Sequence, residues 1–177
     1  MLNLTKNYAD LLDLIGLNGP QINESLRRIF NRDVQENNNF KFLTKVIRPI
    51  KVDGQPSLDT VFLHLTTKRV EVKDGRKTYK RAEFDSDRSV RLHWLRHHID
   101  RGETEEVEIF SVTERDYVSR KDVVNTYIYN IEKQYVIVLR PQNSELDYYL
   151  LSAYYLNEKW AIGAMETRMN KRLAKVY

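Results

Sequence analysis

The fold is decided by two neighbouring runs of sequence, Val123-Val-Asn-Thr-Tyr-Ile-Tyr129 and Gln134-Tyr-Val-Ile-Val-Leu139. Both are rich in β-branched and aromatic residues, which favour strands, and a short polar break separates them. Similar runs lie on either side, Val107-Glu-Ile-Phe-Ser-Val112 before them and Asp147-Tyr-Tyr-Leu-Leu-Ser-Ala-Tyr-Tyr-Leu156 after them. Because consecutive strands with short links usually pair with one another, these four segments predict an antiparallel meander.

Helical patterns flank the predicted strands. Apolar residues at helical spacing predict a helix from Asn7 to Gly16, and a second helix follows Asn18-Gly-Pro20. Further helices are predicted from Ser86 or Asp87 to about Arg101, and from Ala164 to Lys175. The predicted fold class is therefore α+β, with N-terminal helices followed by a four-stranded antiparallel sheet and a C-terminal helix.

The best candidate for a boundary is the break Ile50-Lys-Val-Asp-Gly-Gln-Pro56. It divides the chain into an N-terminal helical accessory segment, residues 1–55, and a main domain, residues 56–177. At 177 residues the chain is long enough to bury a real core.

Composition excludes several classes of protein. With 41% hydrophobic and 31% charged residues, the chain has the composition of a soluble globular protein. No apolar run approaches the roughly 20 residues that cross a bilayer, and the start lacks a signal-peptide pattern. We therefore expect a cytoplasmic protein with no membrane partner. The absence of cysteine excludes thiol catalysis, disulfides and cysteine-ligated metal.

Histidine and positive charge are concentrated in one part of the chain. All four histidines lie between His64 and His98, three of them in Arg91-Leu-His-Trp-Leu-Arg-His-His-Ile99. Imidazole can take and give a proton near neutral pH. From Lys68 to Arg101 there are eleven Lys and Arg residues against six Asp and Glu. Such clustering favours a phosphate-backbone partner, and a solvated basic face is the alternative.

Candidate RNA-binding residues follow from this charge pattern. Most lie in a charged run that reads as a hairpin tip or loop around Asp74-Gly75, and two lie in the histidine-bearing segment, where Trp94 could stack on a base. The candidates are Lys68, Arg69, Arg76, Lys77, Lys80, Arg81, Arg96 and Trp94.

In a continuous helix the histidine segment would present two polar sides. At 100° per residue, Arg91, Trp94 and His98 share one side of the buried stripe, and His93 and His97 lie on the other. Arg91 and His98 would stand two turns apart, roughly 10 Å along the axis. The pair His93 and His97 lacks the further ligands that zinc needs, so we expect no metal and no cofactor.

The late strand carries a second candidate pair. Alternation puts Ser152 and Tyr154 on one face of the sheet, where a hydroxyl and a phenol can hydrogen-bond a phosphate oxygen. No nucleophile-elbow pattern surrounds Ser152, so a hydrolase serine is not expected.

The order of these motifs resembles a known superfamily. The matching segments are Phe62-Leu-His-Leu65, Phe84-Asp85, Arg88 to Ile99, Tyr135-Val-Ile-Val-Leu139 and Tyr148 to Tyr155. They resemble phage- and toxin-associated nucleases of the superfamily that groups barnase, EndoU, the tRNA-cutting colicins and RelE. The resemblance covers roughly residues 60–177, so residues 56–177 would be a nuclease domain of this type, whereas residues 1–55 match no family.

The resemblance implies an active site of Arg91, His98, Ser152 and Tyr154, with Ser152 standing where the family has threonine. The proton carrier stays open among His98, His97 and His93. The implied function is a metal-independent endoribonuclease, a toxin or phage or mobile-element effector that cleaves RNA by attack of the 2′-OH.

The partners expected are RNA, whether tRNA, mRNA or rRNA, and an antitoxin or immunity protein. Two alternatives stay open. One is a non-catalytic RNA- or ribosome-binding protein on the same scaffold, and the other is a phage-encoded interaction or inhibitor protein.

Overall fold

The computed structural model describes residues 2–74, 76–102, 104, 106–116 and 119–177, with side chains for all of these except 2 and 71–82. Within these ranges the helices are α1 (Gly19–Phe30), α2 (Leu58–Thr66), α3 (Ser86–Ser89), α4 (Trp94–Arg101) and α5 (Lys159–Asn170). A 3₁₀ turn spans Leu2–Thr5, and a π-helical turn spans Asn31–Gln35. The strands are β1 (Lys41–Phe42), β2 (Lys45–Pro49), β3 (Lys51–Val52), β4 (Gln55–Pro56), β5 (Thr67–Asp74), β6 (Arg76–Phe84), β7 (Val107–Asp116), β8 (Lys121–Asn130), β9 (Tyr135–Gln142) and β10 (Asp147–Tyr155).

The main sheet of the described residues has six strands in the order β1-β2-β10-β9-β8-β7. Its pairs are antiparallel except β2 and β10, which run parallel with Val46 opposite Asp147 and Pro49 opposite Leu150. The predicted four-stranded antiparallel sheet preceded by N-terminal helices is therefore wrong. The four predicted strands correspond to β7–β10, but the α+β fold is built on a larger, mixed sheet.

Strand β2 is not recognisable in the sequence because it is short and charged. Its five residues, Lys45–Pro49, include two cations and a terminal proline, so no clear alternation marks it. The strand covers the first half of the β10 edge, which would otherwise expose unpaired backbone groups. An ion pair between Arg48 Nε and Asp147 Oδ2, 2.8 Å apart, fastens the two strands together. Strands on both sides of residue 55 thus share one sheet.

The first predicted helix, Asn7–Gly16, is also wrong. Ala9 has a φ of 77°, outside the right-handed helical region, and the segment lies as an irregular strap against α4. Its backbone groups bond across the chain instead of along a helix. Leu12 N donates to Val90 O at 2.9 Å, and the indole N–H of Trp94 donates to Asp10 O at 3.0 Å.

The second predicted helix is confirmed as α1. It begins with a capping box, in which Gln21 N donates to Asn18 Oδ1 at 3.0 Å and Asn18 N donates to Gln21 Oε1 at 2.9 Å. The predicted C-terminal helix is α5, which begins and ends several residues earlier than expected, at Lys159 and Asn170.

The histidine helix is two helices and not one. Between α3 and α4 the bonds Leu92 N to Ser89 O, Trp94 N to Arg91 O and Leu95 N to Leu92 O link residues three apart. Such 3₁₀ bonding turns the chain by about 120° per residue where an α-helix turns by about 100°. The phase that would place Arg91 and His98 on one side is therefore lost.

Apolar side chains cover both faces of the main sheet. One face packs against α1, α2 and α4 through residues such as Phe30, Phe62 and Leu95, which are buried with Ile137 and Leu139. The other face packs against Met165 of α5. Hydrogen bonds from Asn130, the last residue of β8, to Tyr8 and His98 place the strap and helix α4 beside that end of the sheet. Along the described ranges, no helix combines the length and apolar character that crossing a membrane requires.

Candidate functional site

His98, one of the three predicted proton carriers, is buried and hydrogen-bonded at both ring nitrogens. Nδ1 lies 2.8 Å from Trp94 O, and Nε2 lies 3.2 Å from Asn130 Nδ2. A carbonyl only accepts, so Nδ1 carries the proton and Nε2 accepts from the amide. Burial lowers the pKa of His98 to about 4. The imidazole is therefore neutral near pH 7, and its lone pair is already engaged.

Asn130 holds three neighbours in place. Its Oδ1 accepts from Lys133 N at 2.9 Å, which fixes the orientation of the amide. The two amide hydrogens then serve His98 Nε2 and Tyr8 Oη, the latter 3.2 Å away. Since the Tyr8 oxygen accepts from Asn130, its own O–H is available to donate elsewhere.

His93, the buried residue that precedes α4, links this helix to the N-terminal strap. Its Nε2 lies 3.1 Å from Asn7 O, so Nε2 must donate. Its Nδ1 is buried without a hydrogen-bond partner within the described chain. Burial lowers the pKa of His93, as expected for an imidazole held neutral in the interior.

His97 has a different environment from the other two. It is half-buried and stacks face to face on Tyr8, with ring centroids 3.6 Å apart and planes 10° apart. Neither of its ring nitrogens has a hydrogen-bond partner in the part of the chain that the structure describes. Burial, followed by the charge of Arg101, lowers its pKa. Of the three predicted proton carriers, His97 alone has a lone pair that a ligand can reach.

A polar cavity of about 410 Å³ lies beside this stack. The groups that line it include the imidazole of His97, which has no hydrogen-bond partner among the described residues, the phenol of Tyr8, the guanidinium of Arg101 and the carboxylate of Glu106. Its lining residues are Tyr8, His97, His98, Arg101, Gly102, Thr104, Glu106, Val107 and Asn130. Tyr8 comes from the strap, Asn130 from the end of β8, Val107 from the start of β7, and the others from α4 and the segment that follows it. Convergent polar groups in a cavity make it a candidate binding site.

Arg91 does not face this cavity. Its Nη1 donates to Asp87 O at 2.7 Å, and its guanidinium carbon lies 3.8 Å from the ring centre of Tyr155. Trp94 lies between the two residues, because its ring is near the guanidinium of Arg91 and its carbonyl accepts from His98 Nδ1. The structure therefore does not bring these two predicted residues to one groove.

Ser152 and Tyr154, the predicted pair on the late strand, both contact Arg88, which was not predicted as a site residue. Arg88 Nη1 donates to Ser152 Oγ at 3.0 Å and to His64 O at 2.6 Å. Its guanidinium carbon lies 5.5 Å from the ring centre of Tyr154. Burial lowers the pKa of Arg88 and raises that of Tyr154. This cluster joins α2 and α3 to β10 and lies apart from the cavity. The only sequence signal for it is the position of Arg88 one turn before Arg91.

The predicted RNA-binding residues have diverse environments. Trp94 is buried and donates to Asp10 O, so it has no free face for a base. Arg96 pairs with Asp100 at 3.1 Å and with the buried Asp33 at 3.5 Å. Lys68 pairs with Glu83 at 2.7 Å, and Arg69 is exposed. The structure gives only the register of the remaining four, Arg76, Lys77, Lys80 and Arg81, whose side chains lie outside the described part.

Among the described residues no cluster of three or more histidine and carboxylate side chains could hold a metal ion. Comparison of the chain with models of protein families, with curated proteins and with solved structures finds no match in any of the three. The nuclease resemblance therefore stays a prediction that depends on the quoted motifs.

Proposed function

We propose that the protein is a metal-independent endoribonuclease whose acid–base site is the cavity beside His97. The observation that supports this proposal is the composition of the cavity wall, where an unpartnered imidazole stacks on Tyr8 beside Arg101 and Glu106. The clustering of positive charge between Lys68 and Arg101 favours RNA as the substrate.

His97 acts as the general base in this proposal. Its lowered pKa keeps the imidazole neutral at pH 7, ready to take the 2′-OH proton of the substrate. Arg101 lies four residues further along α4, so the two side chains are neighbours on one helix face. Its guanidinium stabilises the negative charge that develops on the phosphate oxygens as the 2′-oxygen attacks phosphorus.

Tyr8 supplies the proton for the leaving group. Asn130 donates to its oxygen, so the phenolic hydrogen is directed to a ligand, and burial raises the pKa of Tyr8 so that it stays protonated. The 2′-oxygen forms a bond to phosphorus as the bond to the 5′-oxygen breaks, and that oxygen takes the phenolic proton. The products are a 2′,3′-cyclic phosphate and a 5′-hydroxyl, and solvent exchange returns the proton from His97 to Tyr8.

In this scheme His98 is a positioning residue. It holds Asn130, which in turn orients Tyr8, and Tyr8 forms the platform on which His97 stacks. His98 does not carry the proton in this scheme, although the resemblance includes it among the proton carriers, because its lone pair is already hydrogen-bonded to Asn130.

The test is cleavage of a fluorescent RNA oligonucleotide by the wild type, His97→Ala, Tyr8→Phe and Arg101→Gln. Positioned proton transfer is worth about 10²–10⁴-fold in rate, so we expect losses of that order for His97→Ala. Arg28→Gln is the matched control for Arg101→Gln, since Arg28 is an exposed cation of α1 that pairs with Glu24. Its rate should equal that of the wild type.

Product analysis completes the test. We expect a cyclic phosphate end and no cleavage where the scissile nucleotide is 2′-deoxy. A folded wild-type protein that binds RNA and leaves it intact would overturn the proposal and favour the non-catalytic RNA-binding alternative.

A further inference from the structure

The β5–β6 hairpin forms a two-stranded ribbon outside the main sheet. In the described part of the chain its strands pair only with each other, from Thr67 opposite Phe84 to Asp74 opposite Arg76. Its base adjoins α2, where Asp85 N donates to Thr66 O at 3.0 Å. A single two-stranded hairpin has little stability of its own in water, so its presence here calls for a role.

The register divides the ribbon into two unlike faces. The register of the two strands shifts between Lys68 and Arg69, and the pairing is regular from Arg69 to the turn. Cross-strand partners share a face, and so do residues two positions apart. One face therefore has Arg69 opposite Arg81, Glu71 opposite Tyr79, and Lys73 opposite Lys77. We call this the Tyr79 face.

The opposite face has a mixed character. It carries Val70 opposite Lys80, Val72 opposite Thr78, and Asp74 opposite Arg76. Two cations and one anion lie on this face, against four cations and one anion on the Tyr79 face. The positive charge of the hairpin is thus concentrated on one side, an asymmetry that the linear sequence conceals.

The two like-charge pairs of the Tyr79 face are unfavourable in the protein alone. Like charges at directly opposite positions destabilise an antiparallel pair. Here the arrangement occurs twice on one face, with an aromatic residue between the two pairs. A bound polyanion would turn this repulsion into attraction, because each pair could neutralise phosphates.

We propose that the Tyr79 face binds single-stranded RNA along the ribbon, with the two cation pairs on the backbone and Tyr79 stacked on a base. The cation pairs are four residues apart, roughly 13 Å along the strands. Cationic grooves with interleaved aromatic residues are the usual means of binding single strands without sequence preference. The choice of RNA over DNA rests on the proposed function, whereas the strand-binding face does not.

The test compares two double variants that remove equal charge from opposite faces. Lys73→Gln with Lys77→Gln removes one cation pair from the Tyr79 face, and Arg76→Gln with Lys80→Gln is the matched control. Both are made in a His97→Ala background, so that RNA stays intact, and the probe is a labelled oligouridylate of about 12 nucleotides. Affinity is measured across a series of salt concentrations.

We expect the first variant to lower the slope of log affinity against log salt by about 1.4, because each phosphate contact to a single strand contributes about 0.7. The control should retain the wild-type slope because the register places Arg76 and Lys80, although both are RNA-binding candidates by sequence, on the opposite face. Tyr79→Ala should weaken binding about tenfold at every salt concentration through lost stacking. Equal slopes for the two double variants, or duplex RNA binding as tightly as oligouridylate, would overturn the proposal.

Lys77→Glu separates binding from folding. It places opposite charges at the Lys73 and Lys77 positions, so the ribbon amides should exchange hydrogen more slowly while RNA affinity falls. Faster exchange together with lost binding would count against the repulsion argument.

Cleavage of a dinucleotide, whose single phosphodiester cannot occupy the cavity and the two cation pairs together, distinguishes the two proposals. Dinucleotide cleavage with equal losses of affinity in the double variants overturns the ribbon site alone. A difference between the faces in a protein that cleaves no RNA overturns the nuclease alone.

Discussion

His98 Nε2 and Asn130 Nδ2 lie 3.2 Å apart in the interior, and this hydrogen bond fixes the imidazole as a neutral acceptor. On the other side of the ring, Nδ1–H is held by Trp94 O. A residue whose sequence context predicts a catalytic base thus joins α4 to the end of β8. The imidazole whose nitrogens stay available to a ligand is the adjacent one, His97.

Stability should fall as the pH drops from about 6.5 towards 4. The pKa of His98 is about 4 in the folded protein and ordinary, about 6.5, in the unfolded chain, so the unfolded state binds the proton first. The contribution is fully present above pH 6.5, is lost as the pH falls, and amounts to roughly 3 kcal/mol. His93 and His97 act in the same direction, since their pKa values are also lowered.

Urea denaturation at a series of pH values from about 7.5 to about 5 measures the upper part of this loss, about 2 kcal/mol. His98→Gln is the control, because it cannot titrate and should show a shallower dependence on pH. A wild-type stability that does not change across this range would contradict the neutral, buried state of His98.

The rate of RNA cleavage should stay high at unusually low pH. A general base must be unprotonated, and the pKa of His97 lies below its ordinary value because of burial and Arg101. The acidic limb of kcat/KM should therefore lie below pH 6.5, about the ordinary histidine pKa. Arg101→Gln removes the repulsion of the imidazolium, so this limb should move to higher pH. A limb that does not move in Arg101→Gln would show that another group titrates.

The sequence predicts the four late strands because their pattern is local. Strong runs of β-branched and aromatic residues mark β8 and β9, and polar breaks separate them. By contrast, β2 is defined by its partner. Its residues have no strand pattern of their own, and its position follows from the open edge of β10. Non-local pairing of this kind leaves little trace in a short charged segment.

The site was only partly predictable for a similar reason. The concentration of histidines directs attention to α4, but the assignment of sides assumes an uninterrupted helix. The 3₁₀ bonds around Leu92 alter the phase, and so His97 lines the cavity while Arg91 packs on Tyr155. Tyr8 and Asn130 come from distant parts of the chain, and no local spacing could have grouped them with His97.

Arg88→Ala should destabilise the fold without a specific effect on catalysis. The change removes a buried donor from Ser152 Oγ and His64 O and leaves Asp85 without its partner at 3.4 Å. Loss of such a buried, hydrogen-bonded charge typically costs about 3–5 kcal/mol. Ser152→Ala should cost about 1 kcal/mol.

Denaturation curves give the cost in free energy of unfolding, and initial rates per folded molecule give the activity. The rates should match the wild type. A Ser152→Ala protein of normal stability that has lost its activity would instead support the site implied by the resemblance, with Ser152 and Tyr154 at the phosphate.

Cleavage should persist in EDTA. His93 cannot join His97 in binding a metal without giving up its bond to Asn7 O, since Nε2 donates there and Nδ1 is buried. The described residues also offer no cluster of three ligands. The measurement is the initial rate on the RNA oligonucleotide before and after exhaustive chelation, with His93→Gln tested beside it. Loss of activity on chelation, restored by a divalent ion in the wild type but not in His93→Gln, would replace the acid–base scheme with a metal site at the two histidines.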